Sequence, residues 1–276
     1  MLRAAVIFVL IVAALYLAAT AALYALQRTL LFAGAGGPAV APPPAGGIYR
    51  SWSVEVPGAA SLVLWRGPES APGMPVFVFF HGNGSDTTDF AELGERFSRH
   101  GWGVVLAAYR GYSGNAGSPS ETALMADARA VLAALGDPGG PVILWGHSLG
   151  SGVAARMAAE GRCAGLVLES PYTSVADLAA QRYPIFPVRQ LIRDPFDTAS
   201  LVPQIQVPVL IFHSDDDLVI PVAMARQLAA AFGSRATAVI LSGLGHTPHE
   251  ADLAPRTADW LGQHGLLPTG APSPRG

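Results

Sequence analysis

The apolar run Val142-Ile143-Leu144-Trp145 passes directly into Gly146-His147-Ser148-Leu149-Gly150, and a helical pattern follows as far as Glu160. A short, continuous apolar run suits a strand buried on both faces, and a helix straight after it carries the chain back across a sheet. The same alternation recurs along the chain. Strand candidates are Ser51–Val56, Leu62–Trp65, Val76–Phe80, Val104–Ala108, Val142–Trp145, Leu166–Leu168, Val209–Phe212 and Ala238–Leu241. Helix candidates lie between them at Thr87–His100, Ser120–Leu135, Leu149–Glu160, Val222–Phe232 and Leu253–Gln263. This rhythm predicts an α/β layered domain over residues 48–267, with a mostly parallel eight-stranded sheet flanked by helices. The short turn near Gly58 predicts that the sheet begins with an antiparallel hairpin. Residues 171–207 break the rhythm with Pro184, Pro187, Pro195 and Pro203. They read as short helices and turns inserted between two strands, a lid-like insertion over the site end of the sheet.

The N-terminus constrains location rather than fold. Ala4–Leu26 carries no charged side chain. As a helix it is about 34 Å long, enough to cross a hydrocarbon core. Arg3 and Arg28 bracket it, with Tyr16 and Tyr24 available for an interface. Residues 1–33 are therefore expected to be a single-pass membrane anchor, in a bacterial inner membrane. The alternative is a cleaved signal peptide and a secreted product. Small residues around Ala19-Thr20-Ala21 would permit cleavage, but the apolar stretch exceeds the usual 7–15 residues. Arg3 on one side and Arg28 and Arg50 on the other leave orientation open. Residues 34–47, rich in Pro, Gly and Ala, read as a linker, and 268–276 as a disordered tail. The single Cys163 excludes an intramolecular disulfide. A net charge of −3 gives no reason to expect nucleic acid as a partner. Oligomeric state is left open.

The chemistry centres on Gly146–Gly150. The pattern G-x-S-x-G between a strand and a helix forces a strained turn that presents the serine hydroxyl at the sheet edge. Glycine is required at both flanks because strand and helix approach too closely for a Cβ. The competing reading makes Ser148 an ordinary helix N-cap. A serine nucleophile needs a base, and the base needs an acid to orient it. Downstream, Val209–Phe212 runs into His213-Ser214-Asp215-Asp216-Asp217, and Ala238–Leu241 into Ser242-Gly243-Leu244-Gly245-His246. Acid and base thus follow Ser148 in chain order, each just past a strand. The residues alone leave three aspartates open for the acid, with His249 competing with His246 for the base. An oxyanion hole needs two backbone N–H groups. The amide of Leu149, directly after the serine, is one candidate. The amide of Asn83, in the His81-Gly82-Asn83-Gly84 loop after Val76–Phe80, is the other.

With these motifs assembled, the chain resembles the α/β-hydrolase superfamily, in particular its N-terminally anchored serine hydrolases of the acylglycerol-lipase-like and depalmitoylase-like kinds. The resemblance rests on H-G-N-G at His81–Gly84, Y-R-G-Y-S-G at Tyr109–Gly114, G-H-S-L-G, E-S-P-Y-T-S at Glu169–Ser174 and the Tyr183–Asp197 insertion. It implies the α/β-hydrolase fold. In its acid loop, approximately H-G-x-x-D-x-x-V-P, His213 and Pro221 frame the motif and the acid falls on Asp217. Its G-x-G-H places the base at His246. Ser214 stands where the family has glycine, and Thr247-Pro248-His249 is atypical.

The expectation is a serine hydrolase of carboxylic esters or thioesters. Ser148, His246 and Asp217 form its triad, and the Asn83 and Leu149 amides bind the oxyanion. The scheme calls for no metal and no organic cofactor. The expected partners are the lipid bilayer and a small-molecule or lipid acyl substrate. Two rivals stand beside it: a peptidase or amidase on the same machinery, and a membrane-tethered binding protein without catalysis.

Overall fold

The computed structural model describes residues 1–268. An apolar helix, α1 (Leu2–Leu31), precedes the sheet. The strands and helices then follow as β1 (Arg50–Val54), β2 (Leu62–Arg66), β3 (Val76–Phe80), α2 (Ala91–Ser98), β4 (Gly103–Ala107) and α3 (Glu121–Leu135). After them come β5 (Val142–His147), α4 (Leu149–Ala159), β6 (Gly165–Glu169), α5 (Val175–Arg182) and α6 (Val188–Leu191). The chain closes with β7 (Val209–Ser214), α7 (Val222–Phe232), β8 (Ala236–Leu241) and α8 (Ala254–Gln263). The strands form one sheet in the order β1-β2-β4-β3-β5-β6-β7-β8. β1 and β2 form the antiparallel hairpin, β2 pairs antiparallel with β4, and every other pairing is parallel.

The parallel strands are continuous apolar runs because both faces are covered. In β3 all five residues are buried, and its side chains alternate between two cores. Phe77 and Phe79 enter an aromatic layer with Phe97, Trp102, Trp145 and Phe212. Val76, Val78 and Phe80 face an aliphatic layer that includes Leu144, Val153 and Leu168. Phe77 meets Phe97 edge-on at 4.6 Å, and Trp145 stacks on Phe212 at 5.6 Å. With its centre packed this way, the sheet carries its chemistry at the rim. The carboxyl ends of β3, β5, β7 and β8 release the loops bearing Asn83, Ser148, Asp217 and His246, on the edge where open α/β sheets bind ligands.

Several boundaries differ from the sequence reading, those of α2 and β5 among them. α2 begins at Ala91, not Thr87. The Asp86 carboxylate accepts both the backbone N–H of Thr88, at 2.7 Å, and its hydroxyl, at 2.6 Å. Beyond it the backbone closes as tight turns, with the Asp89 amide donating to Asp86 O at 3.3 Å and the Ala91 amide to Thr88 O at 2.9 Å, in place of the i→i−4 ladder of an α-helix. β5 runs on through Gly146 and His147, which pair with Leu168 and Glu169.

Phe32, the residue that follows α1, is only 3% exposed and meets Phe196 of the insertion edge-on at 6.3 Å, so it is part of the core. The stretch read as a linker is tied down in its first half. The Gly36 amide donates to Gly111 O at 2.8 Å, and the Val40 amide to Ser113 O at 3.3 Å. The tail read at 268–276 lies, apart from Pro268, outside the described residues.

Candidate active site

Ser148 sits at φ 49°, ψ −118°, between the end of β5 and the start of α4. A non-glycine residue held there carries backbone strain of about 1–3 kcal/mol, sustained by the packing around it. A Cβ on Gly146 would run into Gly150 O and the Ser151 Cα, and one on Gly150 into the carbonyls of Phe80 and His81. The turn therefore excludes side chains at both flanks. Ser148 occupies the N-cap position of α4, but its hydroxyl makes no capping bond. By contrast, Ser120 and Ser174 cap α3 and α5, accepting from Ala123 N at 3.2 Å and Asp177 N at 2.9 Å.

The Ser148 hydroxyl is turned instead toward the loop after β8. Its Oγ lies 2.9 Å from Nε2 of His246, and Nδ1 of that ring lies 2.8 Å from Oδ2 of Asp217. An ionised carboxylate only accepts, so Nδ1 carries the proton and Nε2 is left to accept from the serine. The other Asp217 oxygen accepts the amides of Val219, at 2.8 Å, and Ile220, at 3.0 Å. Burial pushes the Asp217 pKa up. The His246 hydrogen bond and the two amides outweigh it, and the carboxyl is held below its ordinary value.

The three aspartates separate cleanly. Asp215 takes the Ser242 hydroxyl at 2.9 Å, and Asp216 takes the Ser214 hydroxyl and the Gly245 amide. Only Asp217 faces His246. His213 lies 3.3 Å from Asp217, but its Nε2 donates to Ile220 O at 2.9 Å, and burial holds its pKa down, so it is a neutral neighbour.

The loop after β3 closes over the serine. A Cβ on Gly82 would meet Ser148 Cβ at 3.2 Å, so backbone lies directly against the nucleophile position. The Tyr112 hydroxyl donates to Asn83 Oδ1 at 3.1 Å, and the Tyr172 hydroxyl to Leu149 O at 3.1 Å. Both candidate oxyanion residues are thereby fixed through groups other than their amides. Arg110 holds the neighbouring Tyr109–Gly114 loop to α3 through the buried Asp127 carboxylate.

This arrangement has relatives. Residues 73–193 match the family model described as serine aminopeptidase, S33. An uncharacterized protein of Mycobacterium tuberculosis is 35% identical over 233 residues, covering 81% of this chain and 82% of its own. The lysophosphatidylserine lipase ABHD12 of Rattus norvegicus is 33% identical over 189 residues, covering 60% of this chain and 47% of its own. The chain thus spans about half the length of that lipase. Among solved structures, an esterase from Pyrococcus furiosus superposes with a TM-score of 0.62 at 16% identity, over 82% of this chain and 98% of its own. The chain belongs to the α/β-hydrolase superfamily. In this superfamily member the eight-stranded sheet, the insertion between β6 and β7 and the apolar α1 are all present.

Beneath the Ser148–His246–Asp217 contacts lies a second constellation that the motif reading missed. Glu169, at the end of β6, is fully buried. Its Oε1 accepts from the His249 amide at 2.8 Å and from His249 Nδ1 at 2.6 Å, and its Oε2 from Trp145 Nε1 at 2.7 Å. Burial raises the Glu169 pKa, but the charges of His249 and His147 and the hydrogen bonds outweigh it, leaving it at about 2. Burial likewise lowers the His249 pKa, and Glu169 more than reverses that, so His249 is raised. Both shifts favour an ion pair. His147, the second residue of the G-x-S-x-G turn, is driven by burial down to about 4 and is neutral at pH 7.

His147 Nε2 and the Ser170 hydroxyl both reach the carbonyl of His246, at 2.9 and 3.2 Å. His246 is thus held by its backbone as well as by Asp217. His147, Glu169 and His249 also have ligand atoms close enough to share a metal, within 4.8 Å. Both Glu169 oxygens are already engaged by protein donors, so the cluster is better described as a hydrogen-bonded pair. His249, the competing base in the sequence, is occupied here. The only local signals for this cluster were an acid in E-S-P-Y-T-S and a histidine in G-H-S-L-G.

Proposed function

We propose that the chain is a serine hydrolase that cleaves carboxylic ester or thioester bonds of lipid-like acyl substrates. The observation that carries this reading is the pair of contacts at 2.9 and 2.8 Å linking Ser148, His246 and Asp217. In the first step Ser148 Oγ attacks the acyl carbonyl, and its proton passes to His246 Nε2. Asp217 stabilises the resulting imidazolium without taking a proton. The amides of Asn83 and Leu149 receive the negative oxygen of the tetrahedral intermediate. The carbon–oxygen or carbon–sulfur bond then breaks, and His246 returns the proton to the departing alcohol or thiol. Water attacks the Ser148 acyl-enzyme with His246 again as base, which frees the carboxylic acid and restores the serine.

A lipid-like substrate is favoured by the apolar α1, long enough to cross a bilayer, and by the lipase named among the relatives. The apolar α1 also supports membrane attachment, which we propose is to a bacterial inner membrane, with residues 171–207 acting as a lid over the sheet domain. The test is a panel of p-nitrophenyl esters, thioesters and aminoacyl amides offered to the full chain. Ester or thioester turnover that disappears in Ser148→Ala supports the reading. Turnover of amides alone transfers the site to peptidase chemistry, and no turnover of any member favours a binding protein.

A further inference from the structure

α1 contacts the insertion at two levels. Near its middle, Tyr16 stacks on Phe186 with ring centroids 5.5 Å apart, and its hydroxyl donates to Ile185 O at 2.9 Å. Near its end, Arg28 pairs with the buried Asp194 at 2.8 Å. At the same end Gln27 Oε1 accepts the Arg193 amide at 2.8 Å, and the Arg193 guanidinium lies 5.7 Å from the Tyr24 ring.

These levels can be set against a bilayer. A hydrocarbon core of about 30 Å takes up about 20 helical residues. Counted from Ala4, just inside Arg3, it ends near Leu23. Tyr16 then lies about 10 Å inside the apolar region, and Gln27 and Arg28 lie in the headgroup layer. The insertion groups that bond or stack with α1 agree with these depths. Ile185, beside Tyr16, is 71% exposed and apolar. Its carbonyl is satisfied by Tyr16, as backbone at hydrocarbon depth requires. The charged partners, Arg193 and Asp194, meet α1 only at its polar end.

Between α1 and the insertion runs a cavity of about 490 Å³. Leu23, Leu30 and Leu31 line it from α1, and Leu178, Phe186 and Leu191 from the insertion. It also reaches Asn83 and the pair Leu218 and Val219, directly after Asp217. Leu218 is 98% exposed, so an apolar side chain stands open beside the catalytic acid. The volume lies in the range of ordinary ligand sites.

We propose that α1 is one wall of the acyl-chain site, and that the insertion tip sits at hydrocarbon depth beside it, so that the single long chain of a bilayer-resident ester or thioester enters sideways from the membrane. This rests on the hydrolase reading above. α1 is then part of the substrate site and not only a tether.

The test uses the full chain in vesicles of non-hydrolysable ether lipids, with p-nitrophenyl palmitate and p-nitrophenyl butyrate as probes. Leu23→Trp fills the groove from the α1 side. Displacing two methylenes from apolar contact costs about fourfold each, so the palmitate-to-butyrate ratio of kcat/KM should fall at least tenfold. Leu10→Trp, on the half of α1 that does not line the cavity, should leave that ratio within twofold. An unchanged ratio in Leu23→Trp overturns the proposal. Loss of Ser148-dependent butyrate turnover by the unaltered chain would instead overturn the hydrolase reading. A second measurement does not depend on how Leu23→Trp folds. A fluorophore on Ile185→Cys, in a Cys163→Ala background, should be quenched by lipids spin-labelled along their acyl chains. Quenching only by a water-soluble agent overturns the proposal.

Discussion

Replacing Asp217 by asparagine separates the part of this site that makes a reaction from the part that makes a fold. The two amides that bind Asp217 Oδ1, from Val219 and Ile220, can be accepted equally by an asparagine oxygen. The side-chain NH₂ would then face His246 Nδ1, which can only answer as an acceptor. The imidazole must move its proton to Nε2, the nitrogen that has to take the serine proton. A triad that loses its carboxylate this way slows about 10⁴-fold in kcat, which corresponds to about 5.5 kcal/mol of lost transition-state stabilisation. Exchanging charged for neutral hydrogen bonds at the loop should cost stability only about 1–2 kcal/mol. For a domain of this size that is a fall in Tm of about 2–8 °C. The assay is p-nitrophenyl butyrate hydrolysis by the full chain, with Tm measured on the same sample. Asp216→Asn is the control, because Asp216 is exposed and turned toward Ser214 and Gly245. Activity of Asp217→Asn within tenfold of the unaltered chain, or an equal loss in Asp216→Asn, would refute the assignment of the acid.

Three further outcomes are expected. Gly150→Ala should lower Tm, since the new methyl has no space against the Phe80 and His81 carbonyls; overpacking of this kind costs about 1–3 kcal/mol, and thermal unfolding reads it. Glu169→Gln should destabilise by about 3–5 kcal/mol near pH 5.5, because it leaves His249 charged and buried without its partner. The pH dependence of that difference follows from the two shifts. Glu169 is depressed, so its contribution is present above about pH 4.3 and lost as pH falls toward 2; His249 is raised, so its contribution is present below about pH 6.5 and lost as pH climbs through its elevated value. The stability gap between the unaltered chain and Glu169→Gln, measured in urea from pH 3 to 9, should therefore peak between those limits, and a gap independent of pH would contradict the ion pair. Trp145→Phe should cost about 1–3 kcal/mol in the same assay, by leaving Glu169 Oε2 without its donor.

What could be read from the sequence, and what could not, divides by range. β3, β5 and β7 were visible because strands covered on both faces are unbroken apolar runs, and the turn at Ser148 because steric exclusion at Gly146 and Gly150 is a local demand. The start of α2 was misplaced because tight turns, closed from Asp89 to Asp86 and from Ala91 to Thr88, precede it, and hydrophobic periodicity does not register them. Choosing among Asp215, Asp216 and Asp217 from the residues alone was impossible. Their partners Ser242, Gly245 and His246 lie on a different strand's loop. The Glu169–His249 pair joins residues 80 apart, and the contact of Arg28 with Asp194 joins residues 166 apart. Neither leaves a local pattern. Residues 34–47 looked like a linker from composition, yet Gly36 bonds to Gly111 and Val40 to Ser113.

The most direct test of the central claim is covalent labelling of the full chain with a fluorophosphonate, followed by mass-spectrometric location of the adduct. A serine activated by His246 at 2.9 Å should be phosphonylated at Ser148, and Ser148→Ala should be silent. No adduct on the folded chain, or equal labelling of Ser148→Ala, would contradict it.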